Sequence, residues 1–201
     1  MDALKKIINH INQDAVFKRY IEGIRQNKSL LINELTDEAM VLLIVDAFYS
    51  TNKTIFVATP NLYKAQLLYD RLNLAISDEF IAFFPQDEFI TSEMLVSSNE
   101  FKMERINTIR DLLSNKRKIV ITHTTGIIKP QLPKETWMNA IVNLKIDSDF
   151  DMKELSKIFV SYGYKREYTV EKPGDFSVRG GILDIFPLNH SKPYRLDFFG
   201  D

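Results

Sequence analysis

Four short apolar runs separated by helical stretches constrain this chain more than any other feature. Ser29 to Ile32, Thr54 to Ala58, Glu79 to Phe84 and Lys118 to Thr122 each read as a strand. Thr59-Pro60 and Pro85 supply turn signals at their ends. The intervening segments carry apolar residues at helical spacing. Leu4 to Glu22 sets Leu4, Ile7, Ile8, Ile11, Ala15 and Ile21 in such a pattern. Glu38 to Tyr49 is apolar and free of Pro and Gly, which predicts a buried helix. Asn61 to Asn73 follows with Asn61 as its cap. Ser98 to Ser114 is amphipathic, with Phe101, Ile106, Ile109, Leu112 and Leu113 inward. Strands alternating with helices predict βαβ units and a parallel sheet covered on both faces. Such an architecture is of nucleotide-binding type, but fold alone does not establish function.

The texture changes near Lys129, where Pro130 and Pro133 interrupt the chain. Ala140 to Ile146 reads as a strand. Asp151 to Tyr162 reads as a helix capped by Asp149 or Asp151 and ended by Gly163. Arg166 to Val170 alternates, and Lys172-Pro173-Gly174-Asp175 is a turn. Val178 to Phe186 and Tyr194 to Phe199 read as two further strands. A small α+β domain is expected from residue 128 to the end, after a first domain over 1–127. The alternating run to Asp201 stops without a polar tail, which predicts a boundary inside a longer protein.

A phosphate loop in a parallel α/β domain follows the first strand as Gly-x-x-x-x-Gly-Lys-Ser/Thr, so that backbone N–H groups can approach phosphate oxygens. Here Leu30-Leu31-Ile32 leads into Asn33-Glu34-Leu35-Thr36-Asp37-Glu38-Ala39-Met40. Asn33 and Glu38 stand where glycines would be, Ala39 for the lysine and Met40 for the hydroxyl. Glu34, Asp37 and Glu38 suit a helix N-terminus and would repel a triphosphate, by several kcal/mol for each like-charge pair at about 4 Å. Two accounts fit: a lost phosphate site, or a capped helix that never held one. Both predict no ATPase and no nucleotide cofactor.

Other chemistry is scarce. Asp87 and Glu88 are adjacent, so on an extended chain their side chains diverge. Ser97, Ser98 and His123 lack the positioning of a triad. The chain has no Cys, which removes thiolate and Cys-zinc chemistry, and His10, His123 and His190 are scattered. With 26 basic and 27 acidic residues the formal net charge is −1, unlike a dedicated DNA-binding domain. Hydrophobic residues are 45% of the chain, so a real core is expected. Met40 to Tyr49 is too short to span a bilayer, which takes about 20 apolar residues. The N-terminus lacks a signal-peptide core. A soluble, cytoplasmic protein without membrane association is expected.

The most specific stretch is Gly163-Tyr-Lys-Arg-Glu-Tyr168, then Gly174-Asp-Phe-Ser-Val-Arg-Gly-Gly-Ile-Leu-Asp-Ile-Phe-Pro187, then Pro193-Tyr-Arg-Leu-Asp-Phe-Phe-Gly-Asp201. It closely resembles the N-terminal UvrB-homology module of the bacterial transcription-repair coupling factors (Mfd). The damage-recognition helicase subunit UvrB carries a related version. The resemblance extends more loosely over residues before 128, through Phe84-Pro85-Gln86-Asp87-Glu88 and Ile121-Thr-His-Thr-Thr-Gly126. The interval between Phe84 and Ser98 leaves no room for the DNA-inserting hairpin of UvrB, which favours the coupling factors.

The resemblance implies a RecA/P-loop-like parallel-sheet domain with a degenerate nucleotide site at Asn33, Glu38, Ala39 and Met40, followed by a small α+β second domain, expected to be truncated at its last strand. It implies a non-catalytic module that recruits UvrA in transcription-coupled nucleotide excision repair and is masked by other domains of its parent protein. Arg166, in the Tyr-x-Arg pattern, and Arg179, in Val-Arg-Gly, match the basic UvrA-facing positions, and Lys165 is expected to share that role. Arginine suits such a role because its guanidinium pairs bidentately with carboxylates. Ser177 and Glu171-Lys172 stand where UvrB has further arginines. The residues alone leave plainer accounts open: Arg179-Gly180-Gly181 as a bulged strand entry with a solvated arginine, Arg166-Glu167 as surface charge, and Asp184 as the outer mark of its strand. The alternative function is an ATP- and DNA-binding helicase-type domain of a UvrB-like protein. Duplex-DNA binding that weakens with salt would favour it.

Overall fold

The helical pattern at the start of the chain forms two helices, α1 (Asp2–Ile11) and α2 (Ala15–Arg25), instead of the single one expected. Asp14 makes the break: it is extended, and its carboxylate accepts from the Val16 N–H at 2.7 Å as the cap of α2. This computed structural model describes residues 2–11, 13–86, 99–146, 150–188 and 190–198. Asp87 and Glu88, Ser97 and Ser98, the alternative cap Asp149 and most of the Phe84–Ser98 interval lie outside them. The described chain is mixed α/β and divides into two units, Met1–Lys134 and Glu135–Asp201.

Leu30 to Ile32 does not form the expected first strand. Among the described residues the three pair with no neighbouring strand, and Leu31 is 87% exposed. Leu30 lies instead against Gly23 of α2, where a Cβ would sit 2.9 Å from both of its methyl carbons. Without a ladder partner an apolar run stays irregular, whatever its β propensity.

Helix α3 (Asp37–Ser50) is the central helix of the first unit, with Val41, Leu43, Ile44, Val45, Ala47 and Phe48 buried. Strand β1 (Ile55–Thr59) leads to α4 (Leu62–Ala75), capped as expected by Asn61, whose side chain accepts from the Lys64 N–H at 2.9 Å. A 3-10 turn over Asp78–Phe80 takes the start of the expected third strand, so β2 is confined to Ile81–Phe84. Helix α5 (Asn99–Leu113), strand β3 (Ile119–His123) and the short α6 (Thr124–Ile128) follow. The strands form a parallel sheet in the order β1-β3-β2, with Ile55 and Ile81 both in register with Ile119. Every residue of β3 is buried, as a central parallel strand covered on both faces requires. Arg117 stacks on Phe48 at 4.2 Å and donates to the carbonyls of Phe48 and Thr51 at 3.1 Å, tying the end of α3 to the entry of β3.

Beyond α7 (Lys134–Asn139), Ala140 to Ile146 is not a strand either. Val142 and Leu144 pack on the second core through their side chains alone, with no ladder. Helix α8 (Met152–Ser161) is capped by Asp151, which accepts from the Lys153 N–H at 2.8 Å. Strands β4 (Lys165–Arg166), β5 (Asp175–Arg179), β6 (Ile182–Ile185) and β7 (Tyr194–Asp197) form a mixed sheet in chain order; β4 runs parallel to β5 and the rest are antiparallel. Val178 to Phe186 is thus a hairpin, not one strand. Gly180, at φ 58°, makes the turn in the left-handed region that glycine enters without penalty. Leu155 and Phe159 of α8 pack with Phe176, Leu183 and Ile185 of the sheet. Alternation along β5 and β6 leaves Ser177, Arg179 and Asp184 on the opposite, outer face.

Candidate functional site

The segment from Asn33 to Met40, at the start of α3, is closed by neighbouring side chains. Asn33 lies in the irregular segment before α3, with no strand behind it. Thr36 caps the helix: its hydroxyl accepts from the Ala39 N–H at 3.2 Å and its carbonyl from the Met40 N–H at 3.0 Å. Two N–H groups near the helix start are therefore taken. Arg71 of α4 pairs with Asp37 at 2.9 Å and reaches Glu38 at 3.6 Å. Glu38 is exposed, while Met40 packs against the first core.

His123, at the end of β3, is also committed. It is fully buried, and its Nε2 accepts from the Gln86 N–H at 3.0 Å. Among the described residues no group of three or more His, Asp or Glu side chains is placed to hold a metal ion. No helix among them is long and apolar enough to cross a membrane.

The outer face of the second sheet is different. Arg179 at the end of β5 donates from Nη2 to Asp184 Oδ2 at 2.7 Å. Arg195 of β7, directly across from Asp184 in register, donates from Nε to Oδ1 at 2.7 Å and from Nη2 to Oδ2 at 3.0 Å. This is the bidentate geometry of a charge-assisted pair. Asp184 is 9% exposed, whereas the Arg179 and Arg195 side chains are 47% and 58% exposed. The Arg195 hydrogen bonds hold the Asp184 carboxyl below the ordinary carboxylate range; burial opposes this and Arg179 adds to it. Arg179 also lies 5.8 Å from the Tyr168 ring, which is itself exposed.

Lys165 is in register with Asp175 and so belongs to the same outer face. Arg166, in register with Phe176, leaves the sheet on the side of α8, and both β4 residues are exposed. Two of the three expected basic residues therefore share a face and the third does not. Neither a bulge nor a merely solvated arginine describes Arg179: it ends the first strand of a hairpin and is anchored. Asp184 is more than the outer mark of its strand, because it is the anchor. Ser177, beside them, is 1% exposed, so no partner could reach it as it would a surface arginine. Glu171 and Lys172 turn their N–H groups onto Asp175 Oδ2, at 3.4 and 3.2 Å.

Sequence reasoning missed Arg195 and the joining role of Asp184. The signal was the Gly180-Gly181 pair. Once it is read as a hairpin turn, Asp184 falls opposite Ser177 on one side and Arg195 on the other.

Residues 142–201, which contain this face, match the UvrB interaction domain family. Over 98% of its length the chain is 32% identical to a transcription-repair-coupling factor of Bacillus subtilis, covering 17% of that protein. Over 84% of its length it is 34% identical to that of Staphylococcus aureus, covering 14% of it. The Staphylococcus haemolyticus protein of the same name is 29% identical over 96% of the chain. The chain thus spans less than a fifth of the length of these curated relatives.

Proposed function

The chain belongs to the transcription-repair-coupling factors, as an N-terminal module carrying a UvrB interaction domain, and from this we propose that it is a docking module that recruits UvrA to stalled transcription complexes in nucleotide excision repair. The observation that carries the proposal is the anchored, exposed Arg179 on the outer face of the second sheet. Arginine forks at the centre of an interface are among the side chains that contribute most to binding. UvrA would meet Arg179 and Lys165 on that face, with Arg166 at the β4 edge. Other domains of the parent protein would mask the same face when UvrA is absent.

The module itself does no chemistry in this reading. The first unit is, in this reading, a RecA-like domain whose nucleotide site has decayed; the closed start of α3 fits the absence of a nucleotide there. The second domain is taken to follow α6, close to the residue 128 expected from the sequence, the protein works in the cytoplasm, and this piece makes no direct contact with DNA. The helicase-type alternative has less support, because Thr36, Asp37 and Glu38 occupy the helix start that a nucleotide would need.

A calorimetric titration with UvrA tests the proposal. Arg179→Ala is expected to weaken binding by about tenfold to a hundredfold, corresponding to roughly 1.4–3 kcal/mol. Arg166→Ala should weaken it less. Unchanged affinity in both variants would remove the assigned site.

A further inference from the structure

We propose that Arg195 is a second docking guanidinium of the outer face, that Asp184 is the positioning carboxylate fixing it beside Arg179, and that the group they receive is a carboxylate on the partner protein. The inference rests on the UvrA-docking reading and adds to it a residue pair and a ligand chemistry.

The geometry carries it. Asp184 lies between the two arginines across three adjacent strands and accepts from both. A guanidinium has five N–H donors. Arg179 gives one to Asp184 and Arg195 gives two, so most donors of each remain for another acceptor. Asp184 offsets one of the two arginine charges, and Asp197, across from Ile182 on the same face, acts on Arg195 as well; what the pair offers a partner is therefore its remaining donors, on side chains about half exposed. A free arginine loses much side-chain freedom when it docks, and a pre-positioned one loses less. Asp184 is itself mostly buried, so it cannot be the surface a partner meets; its part is to hold the others. A fixed pair of planar, donor-only groups selects a planar, acceptor-only one, which among protein side chains is a carboxylate.

The test is calorimetry of the intact chain with UvrA, with a thermal melt of each variant. Arg195→Gln, a half-exposed substitution, should weaken binding about tenfold while the chain stays folded. Arg195→Lys should not restore it, since an ammonium cannot fork. Asp184→Asn should weaken binding to a similar degree, yet cost nothing further in a chain already carrying Arg179→Gln and Arg195→Gln. A carboxylate that mattered only for folding would keep its effect in that background, and such a result overturns the positioning role. If Arg179→Gln weakens binding while Arg195→Gln does not, the second guanidinium is refuted and the proposed function stands. If the unmodified chain fails to bind UvrA, the reading beneath falls and this inference with it.

Discussion

The start of α3 and the outer face of the second sheet use the same pairing with opposite stoichiometry. At α3 one guanidinium, Arg71, serves two carboxylates, Asp37 and Glu38. At the sheet one carboxylate, Asp184, serves two guanidiniums, Arg179 and Arg195. The first cluster is left with net negative charge where a phosphate would need positive charge and free N–H groups. The three linked side chains of the second sum to a positive charge, carried by the groups that stay exposed. An ion pair alone does not distinguish a closed position from an open one. The surplus sign, and which partner stays in contact with water, does.

Charge reversal should separate the two clusters most sharply. Arg195→Glu turns the Arg179–Asp184–Arg195 cluster into one cation and two anions, with Asp197 on the same face, and the UvrA affinity is expected to fall by roughly a hundredfold or more, since like charges across an interface cost several kcal/mol. Arg71→Glu in the same chain should leave that affinity within about twofold. Its effect on stability should stay near or below about 1 kcal/mol, because the cluster is partly solvated. Paired titrations and melts of the two variants measure both. An equal loss of UvrA binding from Arg71→Glu would break the comparison.

A smaller effect is expected at the cap of α3. Thr36→Ala removes the acceptor for the Ala39 N–H and should cost about 1 kcal/mol in a denaturant titration. It also returns one N–H to the helix start. If a usable phosphate site lay beneath the cap, Mg-ATP would now give heat or raise the melting temperature. Neither is expected in the native chain or the variant, because Asp37 and Glu38 still guard the position. Stabilisation by Mg-ATP in either would favour the helicase-type reading.

Legibility in the sequence followed how locally each feature was determined. The cap Asn61 was readable, and the cap of α8 was narrowed to Asp149 or Asp151, because a side chain two or three residues from an N–H decides them. Strands β1 and β3 were readable because β-branched runs between turn formers have little choice. Leu30 to Ile32 and Ala140 to Ile146 were misread for one reason: an apolar run becomes a strand only when another strand offers a ladder, and neither segment has one among the described residues. The site divided similarly. Arg179 was visible in its motif, but its tie to Asp184 depends on a turn at Gly180, and the place of Arg195 depends on the pairing of β6 with β7. The opposite side taken by Arg166 depends on the register of β4 against β5.

Acid should resolve the outer-face cluster at the smallest scale. The Asp184 carboxyl is held below the ordinary range first by Arg195, then by Arg179 against the opposing effect of burial. The folded state therefore binds its proton less readily than the unfolded state does. Its contribution is fully present above the ordinary Asp range and is lost as pH falls through the depressed folded value. Both arginines are about half exposed, so this contribution should not exceed about 1 kcal/mol. Asp111 of the first unit behaves with the same sign: burial pushes it up, but hydrogen bonds from Lys118 and Lys116 bring it below the ordinary range. Acid unfolding of the native chain consequently sums both carboxylates. The difference between the native chain and Asp184→Asn isolates the second sheet, and it should shrink as pH is lowered from 5 toward about 2. A difference that stays constant with pH would mean that Asp184 stabilises the hairpin through shape alone, and that its two arginines are held by something other than its charge.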